Sequence, residues 1–435
     1  MGARITIPDY RTCLVILLAS LSVLACSVPS RIVDYVPPIT SPTGGINAPQ
    51  MQDKPYLVLV SLDGFRWDYP DRGLTPTLSR LAREGVRAER LLPVFPTLTF
   101  PNHYSLVTGL YPARHGIVAN DFPLEDGGWY HIRDRAVVQN GSLYHGDPLW
   151  VSAERQGMVA ASFFWVGTEA DIAGVRPTHW RLFTKDIGGT ARVDQVLEWL
   201  SEPPESRPHF VTLYFEDVDD YAHWYGPDSA EADDAIRRVD RYLARLLGGI
   251  KDLPHGDQVN VVVVSDHGQA PYHDRVETLV LDSLISLEGI SAVDGGSYIF
   301  LHFDQADPAR AQRISTQVNK AWKNGRAWAR EAAPPGWRVG PRPRAPDVIL
   351  VASTGHAVIS SEAHRDKVNA GDHGWRPEDQ DMHGILFAHG PAFKVGFRAG
   401  PARNVDVHAL LVQVLELDAV PETDSDPDAL RALLR

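Results

Sequence analysis

Four segments of this 435-residue chain carry the side chains that bind divalent cations without thiolate. Asp63 ends the apolar run Tyr56–Leu62. Asp219 and His223 lie in Glu216-Asp217-Val218-Asp219-Asp220-Tyr221-Ala222-His223, just past the run Phe210–Phe215. Asp266 and His267 follow Val259–Val264, and His373 stands in Gly371-Asp372-His373-Gly374. Carboxylate with imidazole is the ligand set of a transition-metal dication. The spacing of four between Asp219 and His223 puts both on one face of a helical turn. Asp266 and His267 are adjacent, so both reach one ion only if the backbone leaves the strand, as Gly268 permits. Taken singly, an aspartate past a strand caps a helix, and Asp-His-Gly is a turn. Convergence of several strand ends is what points to metal. His364 and His383 rank below His373.

Phe95-Pro96-Thr97-Leu98-Thr99-Phe100-Pro101-Asn102-His103-Tyr104 carries a second signal. A helix is expected to follow through Leu106 and Val107, with Thr99 at or near its N-terminus, where free N–H groups and the dipole favour an anion. A threonine hydroxyl is almost wholly protonated at neutral pH. It becomes a nucleophile only if something acidifies it, and a bound metal does that.

The elements that must position these residues read as α/β. Tyr56–Leu62 is a strand buried on both faces of a parallel sheet, and Thr75-Pro76 opens a helix through Val86. Strand-like runs recur at 159–164, 210–215, 259–264, 348–351 and 385–388, with helices over 191–201, 229–249 and 404–416. Alternating strands and helices imply a mixed, mostly parallel central sheet flanked by helices, with ligands gathered beyond the strands' C-terminal ends. The catalytic domain is expected over 55–420. Within it, 121–190 reads as substrate-side loops and 270–370 as a smaller α+β insertion, with a strand near 297–303 and a helix near 308–323. A C-terminal tail occupies 421–435.

There are 42 Lys and Arg against 55 Asp and Glu, a formal net charge of −13. So acidic a chain repels nucleic-acid polymers, so none is expected as a partner. A phosphate ligand would need imported positive charge, and metal is the economical source. The two cysteines, Cys13 and Cys26, both lie near the N-terminus. Arg4 and Arg11 precede an apolar stretch too short for a membrane span, so 1–25 reads as a secretory signal. Val23-Leu24-Ala25-Cys26 resembles a bacterial lipobox. Lipidated Cys26 would attach the chain to a membrane, and the expected location is the periplasm or outer membrane of a Gram-negative bacterium. Residues 26–54 read as a Pro-rich tether.

Several segments, in order, resemble those of the nucleotide pyrophosphatase/phosphodiesterase family within the alkaline phosphatase superfamily. They are Ser61-Leu62-Asp63-Gly64, Pro96 through His103, Thr108 through Pro112, His115-Gly116-Ile117, Asn120, Tyr214 through Pro227, Ser265 through Gly268 and Asp372-His373-Gly374. The resemblance implies an alkaline-phosphatase-like fold and two zinc ions. Asp219, His223 and His373 would hold one ion; Asp63, Asp266, His267 and the Thr99 hydroxyl would hold the other. It also implies that Asn120 and the Phe100 backbone N–H bind a phosphoryl oxygen. The reaction implied is hydrolysis of a nucleotide phosphodiester or pyrophosphate through a covalent threonine intermediate, releasing a nucleoside 5′-monophosphate. Phe100 and Tyr214 are candidates to sandwich the nucleobase, with Trp165 and Phe183 ranked behind them. Val218, Ala222 and Gln269 stand where the family commonly has Pro, Gly and Met; none is an expected ligand.

Two alternatives share the fold: a phosphodiesterase acting on phospholipid head groups or glycerophosphodiesters, and a non-catalytic surface binding protein. A sulfatase needs an Arg that Thr99-Phe100-Pro101-Asn102 lacks. Cofactor-independent mutases normally use serine.

Overall fold

The run Tyr56–Leu62 is buried at every position, as expected for a strand covered on both faces. The computed structural model describes residues 41–273, 277–418 and 420–435. The expected signal segment, Cys26 and the tether up to residue 40 lie outside them. In chain order the strands of the two largest sheets are β1 (Tyr56–Leu62), β2 (Val86–Ala88), β3 (Ala160–Phe163), β4 (His179–Trp180), β5 (Phe210–Phe215) and β6 (Val259–Val264). Next come β7 (Ile290–Asp294), β8 (Tyr298–Phe303), β9 (Gly325–Ala329) and β10 (Val348–Ala352), followed by β11 (Leu386–His389) and β12 (Phe397–Ala399). The central eight-stranded sheet has the order β12-β2-β11-β6-β1-β5-β3-β4. From β4 to β6 the strands run parallel, and β11 is antiparallel to both its neighbours. The sheet is therefore mixed and mostly parallel, as expected.

Helices cover both faces: α1 (Pro76–Glu84), α2 (Thr99–Thr108), α3 (Leu149–Arg155), α4 (Gly189–Leu200), α5 (Asp217–Tyr225), α6 (Ala230–Asp252), α7 (Pro308–Ala321) and α8 (Asp406–Leu415). Alternate residues of β1 sort between them. Val58, Val60 and Leu62 share a core with Leu78 and Leu81 of α1, Val193 and Val196 of α4, and Ile236, Val239 and Leu243 of α6. Leu57 and Leu59 share the other core with Leu106 and Val107 of α2, Val151 of α3, and Leu410 and Leu411 of α8. Each such side chain, fully buried, contributes about 1.5–3 kcal/mol. Helix α6 starts where Ser229 accepts the Ala232 N–H, and it runs to Asp252, slightly past the expected 249.

The insertion forms a second, antiparallel sheet, β7-β8-β10-β9, with α7 against it. Strand β10, read in sequence as one more run of the series, belongs to this sheet; an apolar run does not state its partner. The insertion also braces the segment before Thr99, because Trp337 stacks on Phe95 with centroids 4.0 Å apart.

Three expectations need correction. The 121–190 region is not only loops: besides the strand expected at 159–164, it supplies α3 and the edge strand β4. The 421–435 tail is packed, with Leu430 and Leu433 buried and Arg114 paired with Asp424 at 3.0 Å. The tether does not extend to residue 54. Asn47 is buried, donating to the Arg207 carbonyl at 2.8 Å and accepting the Val159 N–H at 2.8 Å. Buried Glu154 accepts from Ser41 Oγ (2.5 Å), Thr43 Oγ1 (2.8 Å), Ala160 N (2.9 Å) and Thr178 N (2.8 Å). These polar segments lack periodicity because they are held by individual hydrogen bonds to partners more than a hundred residues away. Glu154→Ala strands two buried N–H groups and releases the 41–43 segment. It is expected to cost about 3–5 kcal/mol, read as a lower urea midpoint with the slope unchanged.

Candidate active site

Three neighbouring strands deliver the site. Ser61 of β1 lies opposite Tyr214 of β5 and Val264 of β6, so Asp63, the segment from Glu216 and Asp266 leave the sheet at one edge. This is the carboxyl edge, where α/β sheets bind ligands. Helix α5 begins at Asp217, placing Asp219 in its first turn and His223 one turn later, with Asp219 Oδ1 3.5 Å from His223 Nε2. At Gly268 a Cβ would sit 2.2 Å from the Asp381 carbonyl oxygen. Only glycine lets the chain turn out of β6 there. His373 enters on a two-residue ladder in which Ala270 pairs with Asp372.

The expected ligands converge. Asp219, His223 and His373 offer ligand atoms within 4.8 Å of one another, as do Asp63, Asp219 and His267, and Asp63, His103 and Asp266. The His267 and His373 rings stack at 3.8 Å, and His267 Nε2 lies 3.1 Å from Asp266 Oδ2 and 3.6 Å from Asp63 Oδ1. The imidazoles are oriented alike: Nδ1 of His223, His267 and His373 meets the carbonyl oxygens of Gly371 (3.0 Å), Gly268 (3.0 Å) and Thr97 (2.7 Å). A carbonyl only accepts, so Nδ1 carries the proton and Nε2 presents its lone pair to the cluster, the arrangement typical of metal-ligating histidines.

Charge and burial point the same way. Burial, with Asp266 and Asp219 close by, holds the Asp63 carboxyl well above its ordinary range. Burial opposes ionisation of Asp219 too, but the neighbouring imidazoles, His223 first, outweigh it and keep that carboxyl low; the carboxylates in turn outweigh burial at His223 and His267 and raise both. His373, buried and beside His267, is pushed down to about 3 and is neutral, the ligand form. Asp63 Oδ1 and Asp266 Oδ2 are buried with no hydrogen-bond partner among the described residues. Unpaired buried carboxylate oxygens are costly. A cation bound among these atoms removes that cost, so the donor set fits divalent metal.

Thr99 opens α2, and its hydroxyl lies 3.4 Å from His267 Nε2. The Phe100 N–H donates to Asn120 Oδ1 at 3.2 Å. That contact uses the amide's oxygen and leaves its NH2 as the side able to donate to a phosphoryl oxygen. Phe100 is half-buried, edge-on to Tyr130 at 6.3 Å.

Tyr214 is placed otherwise than its expected base-stacking role suggests: its hydroxyl donates to Asp63 Oδ2 at 2.6 Å. Its ring meets Phe183 at 6.1 Å and His103 at 5.3 Å. Trp165 is buried and donates to the His103 carbonyl. His364 pairs with Asp294 of the insertion, and His383 bonds the Pro377 carbonyl; both stand apart from the metal-ligand groups.

Two residues escaped the sequence reading. His103, one turn after Thr99, bonds the Thr99 carbonyl (2.9 Å) and Ser61 Oγ (2.8 Å), and lies 3.3 Å from Asp266 Oδ2. Its spacing of four from Thr99 was the available signal. Gln269, noted only as a departure, donates to the carboxylate of Asp219.

Residues 57–376 match the family model of type I phosphodiesterase / nucleotide pyrophosphatase. The chain is 31% identical over 389 residues to an uncharacterized pyrophosphatase/phosphodiesterase of Schizosaccharomyces pombe, covering 86% of this chain and 79% of that protein. It is 30% identical over 376 residues to a bis(5′-adenosyl)-triphosphatase of Xenopus laevis, covering 86% and 80%. In structure it is similar to murine ectonucleotide pyrophosphatase/phosphodiesterase 5, solved as an inactive threonine-to-alanine variant in complex with AMP. That match has a TM-score of 0.81 at 28% identity and covers 88% of this chain and 100% of that one. The chain belongs to the type I phosphodiesterase/nucleotide pyrophosphatase family, hydrolases of phosphodiester and pyrophosphate bonds.

Proposed function

We propose that this protein is a two-zinc enzyme that transfers a nucleotidyl group from a phosphodiester or pyrophosphate to Thr99 and then to water, releasing a nucleoside 5′-monophosphate. The observation that carries this reading is the Thr99 hydroxyl, 3.4 Å from His267 Nε2 at the start of a helix, beside two buried carboxylate oxygens that accept no hydrogen bond among the described residues. The relatives' names support the substrate class, since one is a bis(5′-adenosyl)-triphosphatase and another binds AMP.

Asp219, His223 and His373 would hold one ion; Asp63, Asp266, His267 and Thr99 would hold the other. Bound there, the ions would supply the charge that acidifies the Thr99 hydroxyl and stabilises the departing oxygen. Three carboxylates, Asp63, Asp219 and Asp266, against two dications leave one positive charge, matched to the single negative charge of a diester phosphate. The Asn120 NH2, with its amide oxygen held by the Phe100 N–H, orients the phosphate and stabilises charge on a non-bridging oxygen. In the first step Thr99 gives up its hydroxyl proton, the Oγ–P bond forms, the bond from phosphorus to the leaving oxygen breaks and that oxygen departs with a proton. In the second a water oxygen bonds phosphorus, the Oγ–P bond breaks and the proton lost by the water returns to Thr99 Oγ. With the export signal and lipidated Cys26 expected from the sequence, the enzyme acts in the periplasm or on the outer membrane.

Thr99→Ala is expected to lower kcat/KM on p-nitrophenyl thymidine monophosphate by at least about 10³-fold, with measured zinc content staying near two per chain. Parent-like turnover by this variant rejects the threonine intermediate. The parent should hydrolyse that diester faster than p-nitrophenyl phosphate, lose activity in chelator and regain it with zinc. Equal or faster monoester cleavage rejects the diester assignment, and a preference for glycerophosphocholine moves the substrate class to glycerophosphodiesters.

A further inference from the structure

Each carboxylate at the centre of the cluster has one oxygen tied by a neutral donor. The Gly64 N–H donates to Asp266 Oδ1 at 3.2 Å, Gln269 donates to Asp219, and Tyr214 donates to Asp63 Oδ2 at 2.6 Å. The opposite oxygen of Asp63 is buried without a hydrogen-bond partner among the described residues, and that of Asp266 meets only the imidazole nitrogens of His267 (3.1 Å) and His103 (3.3 Å).

Tyr214 differs from the other two in how firmly it is fixed and in what its one atom does. It sits in β5, bonded between β1 and β3. Its carbonyl accepts from Arg192 Nη1 at 2.9 Å, and Arg192 is buried in an ion pair with Glu216 at 2.6 Å. Phe183 and His103 meet its ring edge-on. The hydroxyl therefore has little freedom to seek another acceptor, and a phenol donates a single hydrogen. With Oδ2 held, the Asp63 carboxylate cannot rotate about χ2, and Oδ1 is left aimed toward His267 Nε2, 3.6 Å away. Donors behind a ligating carboxylate fix its direction and are typically worth about 10- to 100-fold in metal affinity.

We propose that Tyr214 is a positioning residue for Asp63, and that its hydroxyl sets the occupancy of the cation position formed by Asp63, Asp266 and His267, leaving the Asp219–His223–His373 position unaffected. The proposal rests on the two-cation reading above and assigns the tyrosine a task other than stacking a nucleobase.

Tyr214→Phe keeps the ring and removes only the donor. Zinc is titrated against a competing chelator on the parent and on this variant, with zinc per chain counted at each point. The parent is expected to bind two ions. In Tyr214→Phe one of the two affinities is expected to fall about 10- to 100-fold while the other holds. At saturating zinc, KM for p-nitrophenyl thymidine monophosphate should match the parent's. Phe183→Leu, which disturbs the ring's packing but spares the hydroxyl, should keep both affinities. Unchanged affinities in Tyr214→Phe, a rise in KM alone, or an equal loss in Phe183→Leu each overturn the proposal. So does a Tyr214→Phe chain that cannot fold, because the hydroxyl then serves the fold and not the cation. A parent that binds no zinc sinks the two-cation reading itself, which separates the two failures.

Discussion

Three aspartates crowded into one water-poor pocket are the constraint around which this molecule is arranged. Asp63 has ligand atoms within 4.8 Å of those of Asp219 and of Asp266, and four imidazoles, His103, His223, His267 and His373, complete the groups. Burying like charges this close is unfavourable by many kcal/mol unless positive charge is brought in. Burial keeps His373 neutral, while at His223 and His267 the neighbouring carboxylates outweigh burial and raise the imidazoles; the Nδ1 atoms of all three face backbone carbonyls. A divalent cation among these atoms would supply the positive charge that the three carboxylates call for. In a chain of net charge −13, such imported charge is also what lets an acidic protein engage a phosphate.

Holding such a cluster open requires a scaffold that does not relax. The parallel strands β5, β1 and β6 are buried on both faces and end at one level, so Asp63, Asp219 and Asp266 leave from fixed anchors. The segment that leads to Thr99 is fixed differently. Asn102 accepts the Val94 N–H at 2.8 Å and donates to the carbonyls of Pro96 and Leu98 at 2.9 Å each, while Trp337 of the insertion stacks on Phe95. Ser297 of the same insertion donates to the His373 carbonyl. The insertion thus braces both the stretch before Thr99 and the one bearing His373, and is a buttress of the site as well as a separate small sheet.

Neutral donors complete the arrangement. The Gly64 N–H, the Gln269 amide and the Tyr214 hydroxyl each restrain a carboxylate without adding charge. Positioning thereby stays independent of the electrostatics that draw a cation in. Gln269 shows how a departure from a family's usual residue acquires meaning only in three dimensions: at a Met position it supplies a hydrogen bond that Met cannot.

The sequence by itself determined which carboxylates and imidazoles come together and the sheet that carries them. Continuous apolar runs ending in Asp63, Glu216 and Ser265-Asp266-His267 specify buried parallel strands with acidic carboxyl ends, because local patterning reports burial and strand length. The four-residue spacing of Asp219 and His223 likewise needs nothing beyond helix geometry. Only the tertiary structure decided that β10 joins the insertion's sheet, that residues 41–54 and 421–435 pack onto the domain, and that β4 closes the sheet edge. It also decided that His103, Gln269 and Tyr214 turn toward the carboxylates. The reason is physical: these roles rest on single hydrogen bonds between residues such as Tyr214 and Asp63, 151 positions apart, and a contact closed by folding leaves no period in the chain.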